Sequence, residues 1–376
     1  MMKSSRTDAS GNAPCSASRA STAVDTASVA AISADAVLTT RRRLLIGAGA
    51  VALASGCARR TDPTLHLAGG TMGTSYNLKL ARTKLPDSEI AAVQQAVQQA
   101  LDAVEERMSL YRAGSELSQF NRVPAGRLVT LSPALHEVLT AARSVSALSD
   151  GAFDVTVAPL VQAWGFGTDK RSAPPQVVPT AATAHWTDLL LLPQQQARKA
   201  KPLQADLSGI AKGYGVDRAA QALDALGCTD YMIEAGGEVR VRGRNGEDAP
   251  WRIGIEQPDA SPPRVHRVVP LLGGAMATSG DYRIFYEHAG RRYSHEIDPV
   301  SGAPITHRLC SVTVLHADCM QADALATALI VLGPERGFAL AQAQGIAAYF
   351  IERTAPGVYR SHGTSAFGAA PTAAAG

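Results

Sequence analysis

The chain has 376 residues, of which 46% are hydrophobic and 5% aromatic, and its formal net charge is +3. This length suffices for one large domain or two ordinary ones. The positive charge is small, and no basic stripe with interleaved aromatic residues occurs. The sequence therefore does not indicate a nucleic-acid-binding protein.

Residues 1–57 are predicted to be a leader that precedes the folded domain. The first forty are rich in Ala, Ser and Thr and lack an apolar period, which is typical of disorder. Three arginines, Arg41 to Arg43, then precede an apolar run from Leu44 to Leu53, which is too short to span a bilayer. The stretch TTRRRLL resembles a twin-arginine export signal.

Cys57 ends this leader in the sequence ASGC, which resembles a lipobox. We expect Cys57 to be the lipid-modified first residue of a lipoprotein at the periplasmic face of the bacterial inner membrane. Leu53 lies one position further upstream than the usual leucine of such a box. Two alternatives therefore stay open: a soluble exported protein with ordinary cleavage nearby, and an uncleaved anchor.

The cysteines beyond the leader are Cys228, Cys310 and Cys319. Their odd number and the absence of CxxC spacing predict neither a zinc site nor a disulfide framework. A single Cys310–Cys319 disulfide remains an alternative.

The first half of the exported part is predicted to be mostly helical after one strand, TSYNLKLA, near Ser75. A helix from Asp87 to Met108 has one apolar stripe, formed by Ile90, Val93, Val97, Leu101, Val104 and Met108. Ser132 and Pro133 supply the N-cap and first turn of a second helix. Residues 174–193 are predicted to be a loop with a short strand.

The second half begins with a glycine-rich helix that ends near Gly227 and continues mainly as strands. The predicted strands are Tyr231–Ile233, Glu238–Arg244, Trp251–Glu256, Val265–Leu272 and Cys310–Leu315. Asp318 and Gln321 predict a capping box for a helix that runs to Leu332. Grouped rather than alternating elements indicate an α+β fold over residues 65–355, followed by a disordered low-complexity tail, residues 356–376.

The stretch DLSGIAKGYGVD, from Asp206 to Asp217, combines Lys212 with three glycines at a predicted helix start. Each glycine weakens a helix by about 1 kcal/mol relative to alanine, so some group is expected to approach the backbone closely. One interpretation is a phosphate at the helix N-terminus. The other is tight packing on a strand, since the GxxxxGK[ST] phosphate motif is absent.

Asp323 and Thr327 are four residues apart, and on a helix they share one face. Both carry oxygen ligands that suit Mg²⁺ rather than zinc. The alternative is a surface aspartate that favours the helix dipole and an ordinary threonine at the edge of the core.

Three further stretches carry single candidate residues. In YSHEIDPVSG, His295 and Asp298 end a strand before a turn, although Asp298-Pro299 also fits simple turn chemistry. In DGAFDVTVAPL, Phe153 offers a ring for stacking and precedes Asp154, and GGTMGTSY places Met72 among glycines. Each of these signals is weak when it is taken alone.

In their order along the chain, these stretches resemble the ApbE family, the FAD:protein FMN transferases. The shared set is GGTMGTSY, MSLYR, GAFDVTVAPL, DLSGIAKGYGVD, EAGGEVRVRG, SHEIDPVSG and ADALATAL, between about Gly69 and Gly333. The resemblance implies a single α+β domain, related to the T-fold. It also implies Mg²⁺-dependent transfer of FMN from FAD to a threonine hydroxyl of a partner flavoprotein, with release of AMP.

The resemblance also implies roles for individual residues. The implied FAD contacts are Met72, Tyr111, Ala152, Phe153, Asp154, Asp206, Lys212 and Ile297, and the implied Mg²⁺ ligands are Asp323, Thr327 and the backbone carbonyl of Gly209. Relatives often have alanine at the position of Gly209, and some have an acidic residue where Ala326 stands, so fewer carboxylates are expected around the metal here.

His295 is the candidate for proton transfer from the threonine, because imidazole titrates near neutral pH. Two other functions stay open. One is a pyrophosphatase that splits FAD into FMN and AMP with water, and the other is a periplasmic flavin-binding protein without catalysis. Given the expected anchor, the acceptor is expected to be a membrane or periplasmic redox protein.

Overall fold

The computed structural model describes residues 64–177 and 184–369. The arginine triplet and Cys57 lie outside the described residues. Export and lipid attachment therefore stay predictions.

An antiparallel sheet of eight strands forms the centre of the described part of the chain. Its strands are Leu65–Thr71 (β1), Thr74–Leu80 (β2), Tyr231–Ala235 (β6), Glu238–Arg242 (β7), Gly273–Gly280 (β10), Leu309–His316 (β15), Ala347–Ala355 (β16) and Val358–Gly363 (β17). Their order is β1-β2-β6-β7-β10-β15-β16-β17, and every neighbouring pair is antiparallel.

Four smaller sheets surround it. They are formed by Leu128–Thr130 (β3), Leu189–Leu192 (β4) and Gln196–Lys199 (β5); by Trp251–Glu256 (β8) and Val265–Leu271 (β9); by Phe285–His288 (β11) and Arg291–Ser294 (β12); and by Ile297–Asp298 (β13) and Ala303–Pro304 (β14). The last two hairpins flank His295 in the chain.

The helices are Asp87–Met108 (α1), Glu116–Arg122 (α2), Pro133–Leu148 (α3), Ala158–Ala163 (α4), Ala211–Ala225 (α5), Cys319–Ala343 (α6) and Ser365–Ala369 (α7), with 3₁₀ turns at Val155–Val157 and Trp186–Asp188. Helix α5 packs between α1 and α6, and α6 lies against β10 and β15. This arrangement confirms the predicted α+β fold.

The apolar period predicted the first long helices correctly. Helix α1 has the predicted bounds, and it buries Val93, Val97, Leu101 and Val104. Helix α3 begins after Ser132, whose Oγ accepts a hydrogen bond from Leu135 N at 3.2 Å. Both helices thus follow from the sequence pattern.

The predicted low-complexity tail is wrong for residues 358–369. Strand β17 pairs with β16, and Tyr359 donates a hydrogen bond to the carbonyl of Pro258 at 2.7 Å. Phe367 of α7 is buried, and its ring stacks on Tyr349 with centroids 5.1 Å apart. Two aromatic anchors therefore order a segment whose composition suggested disorder.

The predicted capping box at α6 is also wrong, and the alternative of a Cys310–Cys319 disulfide is excluded. Asp318 is the N-cap residue, but its side chain accepts no capping hydrogen bond and instead lies 3.9 Å from Arg240. Cys310 and Cys319 are free and buried. Cys310 Sγ contacts the Ile351 carbonyl at 3.1 Å and Cys319 Sγ the Val239 carbonyl at 3.7 Å, so each thiol faces a different strand.

Helix α6 is the core helix of the domain. It is the helix of the described residues that is long and apolar enough to cross a membrane, but more than half of its most apolar stretch is buried in the domain. Its backbone breaks at Gly333, where φ is 82°, just after the predicted end at Leu332. A Cβ at Gly333 would lie 2.8 Å from the ring of His307.

The glycines of α5 allow its neighbours to approach closely. A Cβ on Gly213 would lie 2.4 Å from the carbonyl oxygen of Cys319, and a Cβ on Gly215 would lie 2.9 Å from Cε of Met72. Gly213 therefore meets helix α6 rather than a strand. The glycines are therefore explained by packing between helices, which brings the start of α5 against the start of α6.

We expect Gly213→Ala to lower the free energy of unfolding by about 1–3 kcal/mol, because the added methyl group overpacks the α5–α6 contact. The matched control is Gly114→Ala, whose Cβ would have no heavy atom within 4 Å. The control should change the free energy of unfolding by less than about 0.5 kcal/mol. Equal effects of the two variants in urea denaturation would contradict the packing account.

Candidate active site

The centre of the site is the ammonium group of Lys212. Its Nζ lies 2.7 Å from Glu238 Oε1 and 3.5 Å from Asp323 Oδ1. The lysine is on α5, Glu238 begins β7 and Asp323 is on α6, and both carboxylate side chains are at least 96% buried. One cation thus joins three elements that are far apart in sequence.

The charges of this cluster shift its proton affinities. Burial alone would lower the pKa of Lys212, but the carboxylates of Asp323 and Glu238 raise that pKa above its ordinary value. Burial raises the pKa of Glu238 to about 8, and the charge of Asp323 acts in the same direction while Lys212 opposes it. Lys212 is therefore held as a cation, and the cluster holds more negative charge than one lysine offsets once both acids ionise.

Asp323 is buried, so the alternative of a surface aspartate is wrong. Its side chain is 4% exposed, and its Oδ2 accepts a hydrogen bond from Gly213 N at 3.0 Å. The same carboxylate thus holds both the helix start and the lysine.

The donors around Asp323 suit a small hard cation such as Mg²⁺. In an α-helix Gly213 N would donate to the carbonyl four residues earlier, which is that of Gly209, but here it donates to Asp323. No backbone hydrogen bond among the described residues ends on the Gly209 carbonyl. A Cβ on Gly209 would lie 3.0 Å from Thr327 Oγ1, so an unused carbonyl, a hydroxyl and a carboxylate come from adjoining positions.

The protein supplies only one carboxylate to that donor set. In the described part of the chain no group of three or more His, Cys, Asp or Glu side chains could hold a metal. Ala326 is fully buried and offers no oxygen. The oxygen chemistry of these residues therefore fits Mg²⁺, but they are fewer than an octahedral Mg²⁺ site needs.

His295 lies between the β11–β12 hairpin and β13. Its backbone N donates to the Ile284 carbonyl at 3.1 Å, and its Nδ1 lies 3.1 Å from the same oxygen. Burial lowers the pKa of His295 to about 4, and the charges of Lys212 and Lys170 add to that shift against the opposing hydrogen bond to Ile284. The ring is therefore neutral at pH 7, whereas the sequence suggested titration near neutrality.

Phe153 and Met72 both lie close to the glycines around the start of α5. Cε2 of Phe153 is 3.3 Å from the Cβ position of Gly209, and Met72 packs on Gly215. Met72 has a positive φ of 46°, in a turn where its N–H faces Glu105 Oε2 at 3.4 Å. Both side chains thus border the start of α5, and Ala152 is buried beside Phe153.

Asp154 and Asp206 bind the protein itself. Asp154 Oδ1 accepts hydrogen bonds from Thr156 N and Oγ1, both at 2.8 Å, and its Oδ2 accepts one from Trp186 N at 3.0 Å. Asp206 Oδ1 accepts one from Ser208 N at 2.8 Å. Both carboxylate oxygens of Asp154 therefore accept hydrogen bonds from its own loop and from Trp186, whereas only Oδ1 of Asp206 is used in its turn. Contact with FAD stays a prediction for both residues.

Tyr111 and Ile297 occupy contrasting surroundings. Tyr111 is 66% exposed, and its OH lies 3.5 Å from Lys170 Nζ. Ile297 is buried in an apolar cluster, with Leu160, Trp164, Phe166 and Tyr286. The Tyr111 ring is therefore accessible from solvent, whereas the Ile297 side chain packs inside this apolar cluster.

The sequence analysis missed two buried acids, Glu238 and Glu296. Both stand in quoted motifs, and each is at most 7% exposed. Glu296 also stands between His295 and Ile297, to which roles were assigned. Ser279 was also missed; its Oγ lies 3.1 Å from Thr327 Oγ1. An acid at the start of an alternating strand such as EVRVR is the one signal that could have identified Glu238.

Comparison with protein families matches the model of the ApbE family to residues 72–350, which include every residue of the site described above. The chain belongs to the ApbE family. The FAD:protein FMN transferase of Vibrio cholerae is 40% identical over 334 residues, 87% of this chain and 98% of that protein. The one of Haemophilus influenzae is 39% identical over 346 residues, 87% of this chain and 97% of that protein.

Solved structures of the family have the same fold. The apo crystal structure of the Pseudomonas stutzeri flavinyl transferase ApbE superposes with a TM-score of 0.73 at 39% identity and covers 84% of this chain and 98% of that chain. The flavin transferase ApbE from Vibrio cholerae gives 0.73 at 40% identity, with coverages of 82% and 99%. The predicted family is thereby confirmed.

The buried acids predict a pH dependence of stability. Burial raises the pKa of Glu296 from 4.5 to about 8. In that range the folded protein holds a proton that the unfolded chain has released, so this group makes the free energy of unfolding fall as pH rises. Glu296→Gln should remove up to about 1.4 kcal/mol per pH unit from that slope.

The measurement is urea denaturation without FAD or metal at several pH values between about 5 and 8. The control is Glu335→Gln, because the Glu335 side chain is 78% exposed. Its free energy of unfolding should change with pH in parallel with that of the wild type. If Glu296→Gln also runs parallel, Glu296 is ionised in the folded protein and the account of its burial is wrong.

Proposed function

We propose that this protein transfers FMN from FAD to a threonine hydroxyl of a partner flavoprotein and releases AMP. Two observations support the proposal. Relatives that align over nearly their whole length carry the name FAD:protein FMN transferase. In this chain the Lys212 cluster adjoins oxygen donors that suit Mg²⁺, and a lysine with a bound Mg²⁺ would together offset the charge of a pyrophosphate. The cluster carries the argument, because FAD presents its negative charge at the pyrophosphate that this reaction splits.

The residues of the cluster would divide the binding of the pyrophosphate between them. Lys212 offsets phosphate charge, and Glu238 fixes the direction of its Nζ. Asp323, Thr327 and the Gly209 carbonyl would hold Mg²⁺, which when bound neutralises charge on the pyrophosphate and on the leaving AMP. Phe153 and Met72 border the same helix start, where they would contact the flavin part of FAD.

His295 would take the proton of the attacking threonine. The Ile284 carbonyl only accepts hydrogen bonds, so Nδ1 carries the proton of the neutral ring and Nε2 has the free electron pair. Because the pKa of His295 is lowered to about 4, that pair is available at pH 7. Positioning and charge neutralisation supply the rest of the catalysis, as in other phosphoryl transfers.

FAD incubated with this protein, Mg²⁺ and a flavoprotein acceptor should leave the acceptor heavier by one FMN minus water. One AMP should appear per adduct, as measured by mass spectrometry of the acceptor and chromatography of the nucleotides. EDTA should stop both products together, because the same site serves both halves of the displacement.

An acceptor whose target threonine is replaced by valine is the control, and it should gain no flavin. AMP that forms at an unchanged rate without acceptor, and without covalent flavin, would identify an FAD pyrophosphatase. FAD that binds without either product would identify a flavin-binding protein.

Asp323→Asn should lower the transfer rate at saturating FAD by at least about a hundredfold, because it removes the carboxylate charge while it keeps an oxygen for Gly213 N. The matched control is Asp318→Asn, at the start of the same helix, where the side chain is 57% exposed. Activity of Asp323→Asn close to that of Asp318→Asn would exclude Asp323 as an essential ligand.

We also propose that the protein is exported and anchored through a lipid on Cys57, so that it acts on a membrane or periplasmic redox protein. The arginine triplet, the short apolar run and the cysteine that ends it support this. Cys57→Ala should move the protein from the membrane fraction to the soluble periplasmic fraction. A wild-type protein that is already soluble there would contradict lipid attachment.

A further inference from the structure

A buried acid adjoins the base assigned above. Glu296 directly follows His295, is 7% exposed, and its Oε1 lies 3.7 Å from His295 Nε2. Two hydrogen bonds fix the backbone of Glu296. Its N–H donates to Ser294 Oγ at 3.0 Å, and its carbonyl accepts a hydrogen bond from Ile305 N at 2.9 Å. The carboxyl group is therefore held beside the one ring nitrogen that has a free electron pair.

The groups that face this pair come from several elements. Lys212 on α5 and Asp323 on α6 act on Glu296, together with Asp281 after β10, which forms a two-point ion pair with Arg353 of β16 at 2.9 and 3.0 Å. Lys212 and Lys170 act on His295, whose Nδ1 faces the Ile284 carbonyl.

Burial acts on the two groups in opposite directions. It raises the pKa of Glu296 to about 8, with Asp281 and Asp323 adding to the shift and Lys212 opposing it. It lowers the pKa of His295 to about 4. A proton delivered to His295 is therefore more stable on Glu296 than on the ring, because the neutral form of each group is favoured away from water.

We propose that Glu296 is the positioning residue of His295 and the group on which the proton of the acceptor threonine comes to rest. The proposal rests on the transfer reaction above. The threonine Oγ–H bond breaks as the Oγ–P bond forms and the P–O bond to AMP breaks. The proton passes to Nε2 of His295 and then to the ionised Glu296 carboxylate, from which it returns to solvent after AMP has left.

The contact of 3.7 Å is longer than a hydrogen bond, so the second proton transfer needs a small rotation of the carboxyl group or one bridging water. A carboxylate at this distance also stabilises the imidazolium that forms in between. Glu296 thus serves the base without touching the substrate.

The test is the pH profile of kcat/KM for FMN transfer at saturating Mg²⁺ and acceptor. Glu296 accepts a proton only when it is ionised, so wild-type kcat/KM should increase as the pH rises toward the pKa of Glu296; this increase is the limb of the profile that is tested. Glu296→Gln should lower the rate by about a hundredfold or more and abolish that limb. Glu296→Asp should restore the limb at an intermediate rate.

The matched control is Glu238→Gln, since burial also raises the pKa of Glu238 to about 8. Glu238→Gln should lower the rate because Lys212 loses its charged partner, but the increase of kcat/KM with pH should remain. A Glu296→Gln enzyme that binds FAD and retains the limb would overturn the proposal, and so would loss of the limb in Glu238→Gln alone. A wild type that forms no covalent FMN adduct would instead overturn the proposed function.

Discussion

The fold and the site both depend on one partly buried cation. Lys212 lies between the carboxylates of Glu238 and Asp323, and the three residues belong to three different elements. Removal of one partner from such a cluster leaves uncompensated charge in a poorly solvated place, which costs several kcal/mol. The cluster therefore helps to fix how α5, β7 and α6 meet at the start of α5.

The glycines of α5 make this arrangement sterically possible. Gly213 admits the carbonyl of Cys319, and Gly215 admits Met72. Because Asp323 takes the N–H of Gly213, the Gly209 carbonyl is released from the helix ladder. The glycines thus weaken α5 as an isolated helix, but they allow the close contact between α5 and α6 and leave the Gly209 carbonyl without a helical partner.

Much of this could be predicted from the sequence. The apolar stripe of α1 and the Ser132 cap of α3 follow from periodicity and local hydrogen bonding, and ordered motifs identified the family. Proton affinities could not be predicted, because they depend on burial that residues distant in sequence create. Burial reverses the order of the two pKa values, so that Glu296 has a higher pKa than His295. The burial of Asp323 under α5 and the order of the tail around Phe367 also depend on contacts between residues that are distant in sequence.

The central claim is that Lys212 serves the phosphates of the ligand and not its flavin ring. It is tested by the affinities of the wild type and of Lys212→Met for FAD and for riboflavin, which lacks phosphate, measured by quenching of flavin fluorescence. We expect FAD affinity to fall at least about tenfold, or 1.4 kcal/mol, and riboflavin affinity to stay within about twofold. Equal losses for both ligands, or an unchanged affinity for FAD, would contradict the account.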